Sequence, residues 1–314
     1  MNKILILFGG KSFEHDISLK SVNFIIKNIK QDYKLVGIDK GGEWFEVKCG
    51  LISDNWKDNI IGKVKNIVEY VKDFNKVIPI IHGSGIEDGK IQSMFELFDI
   101  KYLGSNSYSS LISYDKVLTK LILEKYSIPQ VPYHIYNKYI DFNTLEYPII
   151  VKPAKCGSSI GISICNSKDE LIKGIESAKK YDSNILLEKF LKNTRELECA
   201  ILRDNKKIIV SDVGEILKGE WYSYDEKYNK KVDTIISDID ENIKYEIKMY
   251  SKKIFEILGC SDLARVDFLY DLDLNRLYFN EINTMPGLTE ISMYPKLLDN
   301  IGINGEELVK ILIN

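Results

Sequence analysis

The sequence predicts an α/β protein that opens on a parallel sheet and continues as α+β. The run KILILF at 3–8 is wholly apolar and stops at Gly9-Gly10, the pattern of a strand buried on both faces. Two more strand-like runs, YKLVGID (33–39) and VIPIIHG (77–83), alternate with helical periodicity over 19–29 and 91–100, which predicts an open parallel sheet. Such sheets hold ligands at the carboxyl ends of their strands, where Gly9-Gly10 and His82-Gly83 fall. Further on, a helix at 115–127 is stopped by Pro129 and Pro132. Strands at 147–154, 162–166 and 184–190 with a helix at 169–181 make a small α+β unit over 104–190. From about 191 the pattern is several strands, a long helix (240–257), a strand pair (263–270 and 277–284) and a final helix (304–313).

A chain of 314 residues exceeds what one core usually serves, so two or three domains are expected. A net charge of −3 with mixed acids and bases gives no basic footprint for nucleic acid. The five cysteines show no paired spacing, which argues against a zinc site or disulfide framework and for a reducing cytoplasm. The apolar run near the start is too short for a signal peptide core or a membrane span.

Chemistry concentrates in LARVDFLY and LYFNEINTMPG. Residues two apart on a strand share a face, so Arg265 with Asp267, and Glu281 with Asn283, are each presented on one side. An antiparallel register placing Asp267 opposite Glu281 gathers all four groups, and a one-residue slip scatters them. Opposed Cβ atoms lie about 4.5–5.5 Å apart, where two carboxylates repel, so something positive is expected between them. Two carboxylates and an amide oxygen are hard ligands suited to Mg²⁺ shared with phosphates; an exposed hairpin face with a salt bridge fits the same spacing. The connecting DLDLNR lacks the Gly and Glu of a calcium loop and reads as a turn.

The segment CGSSIGIS (156–163) carries neither dinucleotide nor P-loop fingerprint. Its small residues leave backbone N–H groups open to an anion, and Lys152 ends the preceding strand within reach of it; a tight hairpin is the plainer alternative.

Taken in order, LFGGKSFEHDISLKS, HGSGIEDGKIQ, SYDK, IVKP, GSSIGIS, LLEKFL, YSYDEKY, LARVDF, NEINTMPG and SMYPKL closely resemble the D-alanine–D-alanine ligases of the ATP-grasp superfamily, over roughly residues 3–303. The resemblance implies a three-domain ATP-grasp fold, divided here as 1–103, 104–190 and 191–314. It implies ATP-dependent joining of two D-alanines through an acyl phosphate, for peptidoglycan precursors, in a cytoplasmic homodimer that needs neither nucleic acid nor membrane. It also implies site roles. Asp267, Glu281 and Asn283 would hold two Mg²⁺ ions, with Mn²⁺ as a substitute; Lys116 and Lys152 would touch phosphates beneath a lid containing Ser158 and Ser159. Glu188, Lys189 and Leu191 would face adenine, and Glu196 the ribose. Arg265 and the Gly287 amide would form an oxyanion site. Asp16 would pair with the first substrate's ammonium, His82 would lie near its carboxylate, and Ser292 would bind the second carboxylate. Lys227 and Tyr228 would belong to a closing loop. Apart from the resemblance, Glu87 reads as a titratable partner that orients His82, with capping of the 91–100 helix by Glu87 and Asp88 as the alternative.

Three positions depart from the family's pattern. Asp16 stands where many members have Glu, Ile86 where the signature has Gly, and Asp262 where Gly is usual before LARVD. A β-branched Ile86 disfavours positive φ, so the local turn is expected to differ. Glu226-Lys227-Tyr228 and Tyr222 and Met293 favour D-alanine as second substrate. A D-alanine–D-serine ligase and a nucleotide-binding protein without ligase activity are the alternatives.

Overall fold

The computed structural model describes residues 3–217 and 234–314. Tyr222, Glu226, Lys227 and Tyr228 lie outside those residues. The N-terminal part runs β1 (Ile4–Gly9), α1 (His15–Asn28), β2 (Tyr33–Ile38), β3 (Trp44–Val47), β4 (Ile60–Lys63), α2 (Ile67–Lys72), β5 (Lys76–Ile81) and α3 (Lys90–Leu97). Its sheet has the order β4-β3-β2-β1-β5. β2, β1 and β5 are parallel, as the alternation predicts, and an antiparallel ribbon of β3 and β4 extends them. That ribbon is short and half-polar, so it carries little of the apolar signal by which the inner strands are recognised. β1 is buried along its whole length because it lies at the centre of the parallel strands. Pro79 is tolerated in β5 because β5 is an edge of the sheet.

The second sheet, β6-β9-β7-β8, is antiparallel and combines β6 (Tyr133–Ile135), β7 (Ile149–Pro153), β8 (Ser163–Cys165) and β9 (Ile185–Lys189). α6 (Lys168–Ala178) covers one face; α4 (Ser107–Tyr114) and α5 (Lys116–Glu124) precede the sheet. Asp115 explains the SYDK motif: its buried carboxylate caps α5 through the Val117 and Leu118 amides at 3.0 and 3.2 Å, which fixes Lys116 at the start of the helix.

The third sheet, β12-β11-β10-β13-β14, is antiparallel: β10 (Thr194–Asp204), β11 (Lys207–Ile216), β12 (Thr234–Ile236), β13 (Leu263–Asp271) and β14 (Arg276–Asn283). α7 (Glu241–Ile257) packs on it, and α8 (Met293–Asn300) and α9 (Gly305–Ile313) close the chain. Tyr294, Leu297, Leu298, Leu308 and Leu312 join the same apolar core as β1 and β5. The chain's last helices therefore bind the C-terminal sheet to the N-terminal one.

The usual-glycine positions resolve differently. The left-handed turns of HGSGIEDG fall on Gly83, Gly85 and Gly89, so Ile86 avoids positive φ and is buried in the core. Asp262 does adopt φ 57°, and its carboxylate accepts the Gly104 amide at 2.7 Å, tying the start of the central unit to β13. Asp262→Ala should lower stability by about 1–2 kcal/mol, through the lost hydrogen bond and because alanine tolerates left-handed backbone less well than aspartate. Asp262→Gly, which relieves that strain, should cost less. Thermal melts of both variants check the order; an Ala variant as stable as the Gly variant contradicts it.

Candidate active site

β13 and β14 pair with Arg265 opposite Asn283 and Asp267 opposite Glu281, the register that the spacing favours. Ala264, Val266 and Ile282 turn the other way into the core, which fixes the parity. One extra residue, Asn280, bulges out of β14 beside Glu281, since the pair after Asp267–Glu281 is Phe268–Phe279. β10 adds Glu198 directly opposite Asp267, with Glu196 two residues before it on the same face. Four carboxylates thus share one side of the sheet.

The expected positive charge comes from the protein itself. Arg265 donates to both carboxylate oxygens of Asp267 at 2.8 Å and stands 3.0 Å from Glu198 Oε2. Burial alone would lower the Arg265 pKa, but Asp267 and Glu198 outweigh it and hold the guanidinium well above its ordinary value. Lys116 Nζ lies 3.6 Å from Glu281 Oε2 and donates to the Cys156 carbonyl at 2.8 Å.

Asp267, Glu281 and Asn283 suit a hard divalent cation by donor chemistry, and they lie on adjoining positions of one hairpin face. Among the described residues no three His, Cys, Asp or Glu side chains form a group that could by itself hold a metal ion. A cation held here therefore relies on the Asn283 amide oxygen and on oxygens from a substrate, as magnesium–phosphate sites do.

The central sheet supplies the opposite wall. Val151, Ile185 and Leu187 face α6, so by strand alternation Lys152, Leu186 and Glu188 face the other way, toward α5. Glu188, expected at adenine, is buried and ion-paired with both Lys152 and Lys120. Burial raises its carboxyl pKa, but the two lysines prevail and bring it down to about 2. Lys152 also donates to Asn280 Oδ1 at 3.4 Å. Lys189 is exposed and lies 3.2 Å from Glu146, while Leu191 and Glu196 are half-buried. In the loop after β7, Ser158 and Ser159 both adopt left-handed backbone, φ 53° and 58°. Two consecutive non-glycine residues in that region store strain of about 1–3 kcal/mol each.

The N-terminal unit brings Glu14 to the site, and Asp16 stays away. Asp16 lies in the first turn of α1, its side chain 65% exposed and 3.3 Å from Lys40. Glu14, just before the helix, accepts the Ser158 hydroxyl at 2.5 Å. A Cβ on Gly83 would come within 2.7 Å of Glu14 Oε2, and one on Gly157 within 3.4 Å, so two glycines make room for this carboxylate between loops of different units. His82 Nδ1 lies 3.0 Å from the Met285 carbonyl and must donate to it, leaving Nε2 to accept from Ser21 Oγ at 2.8 Å. Burial lowers its pKa, against the pull of Glu14, so the ring is a neutral anchor between the first sheet and the turn after β14. Glu87 accepts the Gly83 amide at 2.9 Å; it orients the loop after His82 through the backbone.

Gly287 and Ser292 are brought together: a Cβ on Gly287 would lie 3.0 Å from Ser292 Oγ, which itself contacts Thr289 Oγ1 at 2.6 Å. Met293 is buried with its sulfur facing Gly214. Lys227 and Tyr228 lie outside the described residues. Sequence reasoning missed Glu14, Glu198 and Lys120. The alternation in RELEC carries a signal for Glu198, and the four-residue spacing of Lys116 and Lys120 one for Lys120; Glu14 differs from Asp16 only by which side of a helix start it occupies.

Comparison with known proteins places the chain in a family. The family model described as D-ala D-ala ligase N-terminus matches residues 3–105, and D-ala D-ala ligase C-terminus matches residues 122–314. D-alanine–D-alanine ligase B of Clostridium tetani is 40% identical over 99% of this chain and 94% of its own length. The D-alanine–D-alanine ligase of Acetivibrio thermocellus is 37% identical over 99% of this chain and 95% of its own. Among solved structures, the VanG D-Ala:D-Ser ligase of Enterococcus faecalis superposes with a TM-score of 0.87 at 29% identity, covering 99% of this chain and 98% of that one. The Bacillus anthracis D-alanine–D-alanine ligase complexed with ATP gives a TM-score of 0.77 at 28% identity over 100% and 96%. The chain belongs to the D-alanine–D-alanine ligase family.

Proposed function

We propose that this protein joins two D-alanines to D-alanyl-D-alanine at the expense of ATP, and that the face shared by Asp267, Glu281 and Asn283 holds magnesium at the nucleotide's phosphates. The observation that carries the reading is the Asp267–Glu281 pairing with a cationic side chain on each partner. Bound magnesium would neutralise phosphate charge as the γ-phosphoryl group moves. The first D-alanine's carboxylate oxygen attacks the γ-phosphorus and ADP leaves. The second D-alanine's amine, having lost a proton, attacks the acyl carbon and inorganic phosphate departs. Dipeptide formation serves peptidoglycan precursor synthesis.

The chain's own groups divide the work. Lys116 and Lys152 meet phosphate oxygens, and the Ser158–Ser159 backbone covers them and keeps water from the acyl phosphate. Glu188, Lys189 and Leu191 line the adenine side, with Glu196 toward the ribose. Arg265, held by Asp267 and Glu198, and the Gly287 amide face the oxyanion that forms during amine attack. Ser292, beside Gly287, takes the second carboxylate. Glu14 pairs with the first substrate's ammonium, because it is the carboxylate that reaches Ser158 from the N-terminal unit. His82 holds the turn that carries Gly287 by its bond to Met285. Lys227 and Tyr228 retain the roles the resemblance implies. The protein acts in the cytoplasm as a homodimer; no helix among the described residues is long and apolar enough to cross a membrane. The three units divide near residues 103 and 190.

ADP release measured with D-alanine and Mg-ATP checks this reading. Glu281→Gln should lower turnover by about 100-fold or more, as loss of a group stabilising transition-state charge does. Near-wild-type turnover in that variant would contradict the reading. With D-alanine and D-serine mixed, D-Ala-D-Ala should dominate; mainly D-Ala-D-Ser would select the other family specificity. Glu14→Gln should reduce kcat/KM for D-alanine by about tenfold or more, while Asp16→Asn should leave it within about twofold. The reverse order would return the role to Asp16.

Glu87 makes a pH prediction. Burial, then Glu14 and Glu281, raise its carboxyl pKa to about 8 from 4.5, against the Gly83 amide and Lys116. The folded protein thus keeps a proton that the unfolded chain releases, and stability is lost as pH rises through that window. Glu87→Gln keeps an oxygen for the Gly83 amide and removes the penalty. Its melting temperature should match the wild type near pH 4 and exceed it increasingly up to pH 8. A gap that is flat with pH would show that Glu87 is ionised in the fold.

A further inference from the structure

Lys120 is among the largest fully buried side chains in the protein, at 1% exposure. It sits one helical turn after Lys116 on α5, so the two lysines share a helix face. Lys116 reaches toward Glu281 on the hairpin, whereas Lys120 Nζ is 2.6 Å from Glu188 Oε1 and 5.0 Å from the Tyr133 ring centre. Glu188 therefore carries two lysines, and they are not equivalent. Lys120 is enclosed between α5, β6 and β9. Lys152 lies toward the hairpin, within reach of Asn280 and subject to the charges of Glu281 and Glu196.

Any anion entering beside the hairpin competes with Glu188 for Lys152. A buried carboxylate stripped of its only cation is strongly unfavourable, so a single-lysine site would hold Lys152 back from the ligand. A second, immovable lysine removes that obstacle. Resting on the proposed reading of the nucleotide site, we infer that Lys120 is a positioning residue for nucleotide binding: the fixed counter-charge that keeps Glu188 ionised while Lys152 turns to the phosphates. Lys120 touches neither nucleotide nor amino acid, and acts through Glu188 and Lys152.

The test is Mg-ATP binding by titration calorimetry, with KM for ATP and kcat from ADP release, in the full-length wild type, Lys120→Met, Glu188→Gln and Lys120→Met/Glu188→Gln, each checked by circular dichroism and melting. Methionine preserves the apolar stem, and glutamine preserves a carbonyl oxygen at Glu188. Lys120→Met should weaken ATP binding and raise its KM by about tenfold or more, with kcat changed by less than about threefold. In the Glu188→Gln background, with no carboxylate left to retain Lys152, adding Lys120→Met should change ATP affinity by less than about threefold. A merely structural lysine costs the same in both backgrounds. If Lys120→Met binds ATP like wild type, or costs as much in the Glu188→Gln background as in the wild type, the inference is overturned. Should Lys120→Met fail to fold, comparison of the double variant with Glu188→Gln decides: affinities within about threefold support the counter-charge role, and a further tenfold loss rejects it. Absence of ATP binding by the wild type would reject the nucleotide site itself, and this inference with it.

Discussion

Everything at this site depends on compensating crowded negative charge. The C-terminal sheet presents Glu196, Glu198, Asp267 and Glu281 on one face, a density that an isolated hairpin could not sustain at neutral pH. Arg265 lies between Glu198 and Asp267, and Lys116 reaches Glu281 from another unit. On the facing wall, Lys120 and Lys152 neutralise Glu188. The two clusters meet where Lys152 touches Asn280, the bulged residue beside Glu281. The fold's three sheets are thus joined at the cleft by charge and, behind it, by the apolar contact of α8 and α9 with the first sheet.

Under the proposed function, the same compensation lets the cleft take up a polyanion without being permanently closed on itself. Each acidic ligand candidate is paired with a cation that also suits a phosphate oxygen. Exchanging carboxylate for phosphate keeps each lysine beside negative charge, but the carboxylate left behind needs another cation, as Lys120 supplies for Glu188. Glu14 works differently: it arrives from the N-terminal unit and holds the Ser158 loop through a hydroxyl, coupling the first unit to the strained turn over the cleft. His82, with both ring nitrogens occupied, carries no charge into this balance and serves as a joint between β5 and the Met285–Leu288 turn.

The hairpin was legible because alternation on a strand is a rigid rule: once Val266 and Ile282 are recognised as core, Asp267 and Glu281 have only one side to occupy. The parallel strands were legible for the same reason, being apolar throughout. β3 and β4 were not, since short, half-exposed strands mix polar and apolar residues. The motif SFEHDIS holds two acids, and which of them meets the Ser158 loop depends on where α1 begins, a boundary that periodicity fixes only to a few residues. Lys120 was invisible because a lysine amid LTKLILEK reads as a solvated helix face until the burial of Glu188 is known. Positive φ at Asp262 could be anticipated from the glycine it replaces, whereas the shift of that demand from Ile86 to Gly85 required the backbone itself.

The central claim is that Asp267, Glu281 and Asn283 form one metal-binding face at the phosphates of a nucleotide. Anomalous diffraction from crystals grown with Mn²⁺ and a non-hydrolysable ATP analogue tests it most directly. The account predicts manganese peaks in contact with all three side chains and with phosphate oxygens, with Lys116 and Lys152 drawn to the same phosphates. Peaks elsewhere, or an Arg265–Asp267 pair that excludes the metal while the analogue is bound, would contradict it.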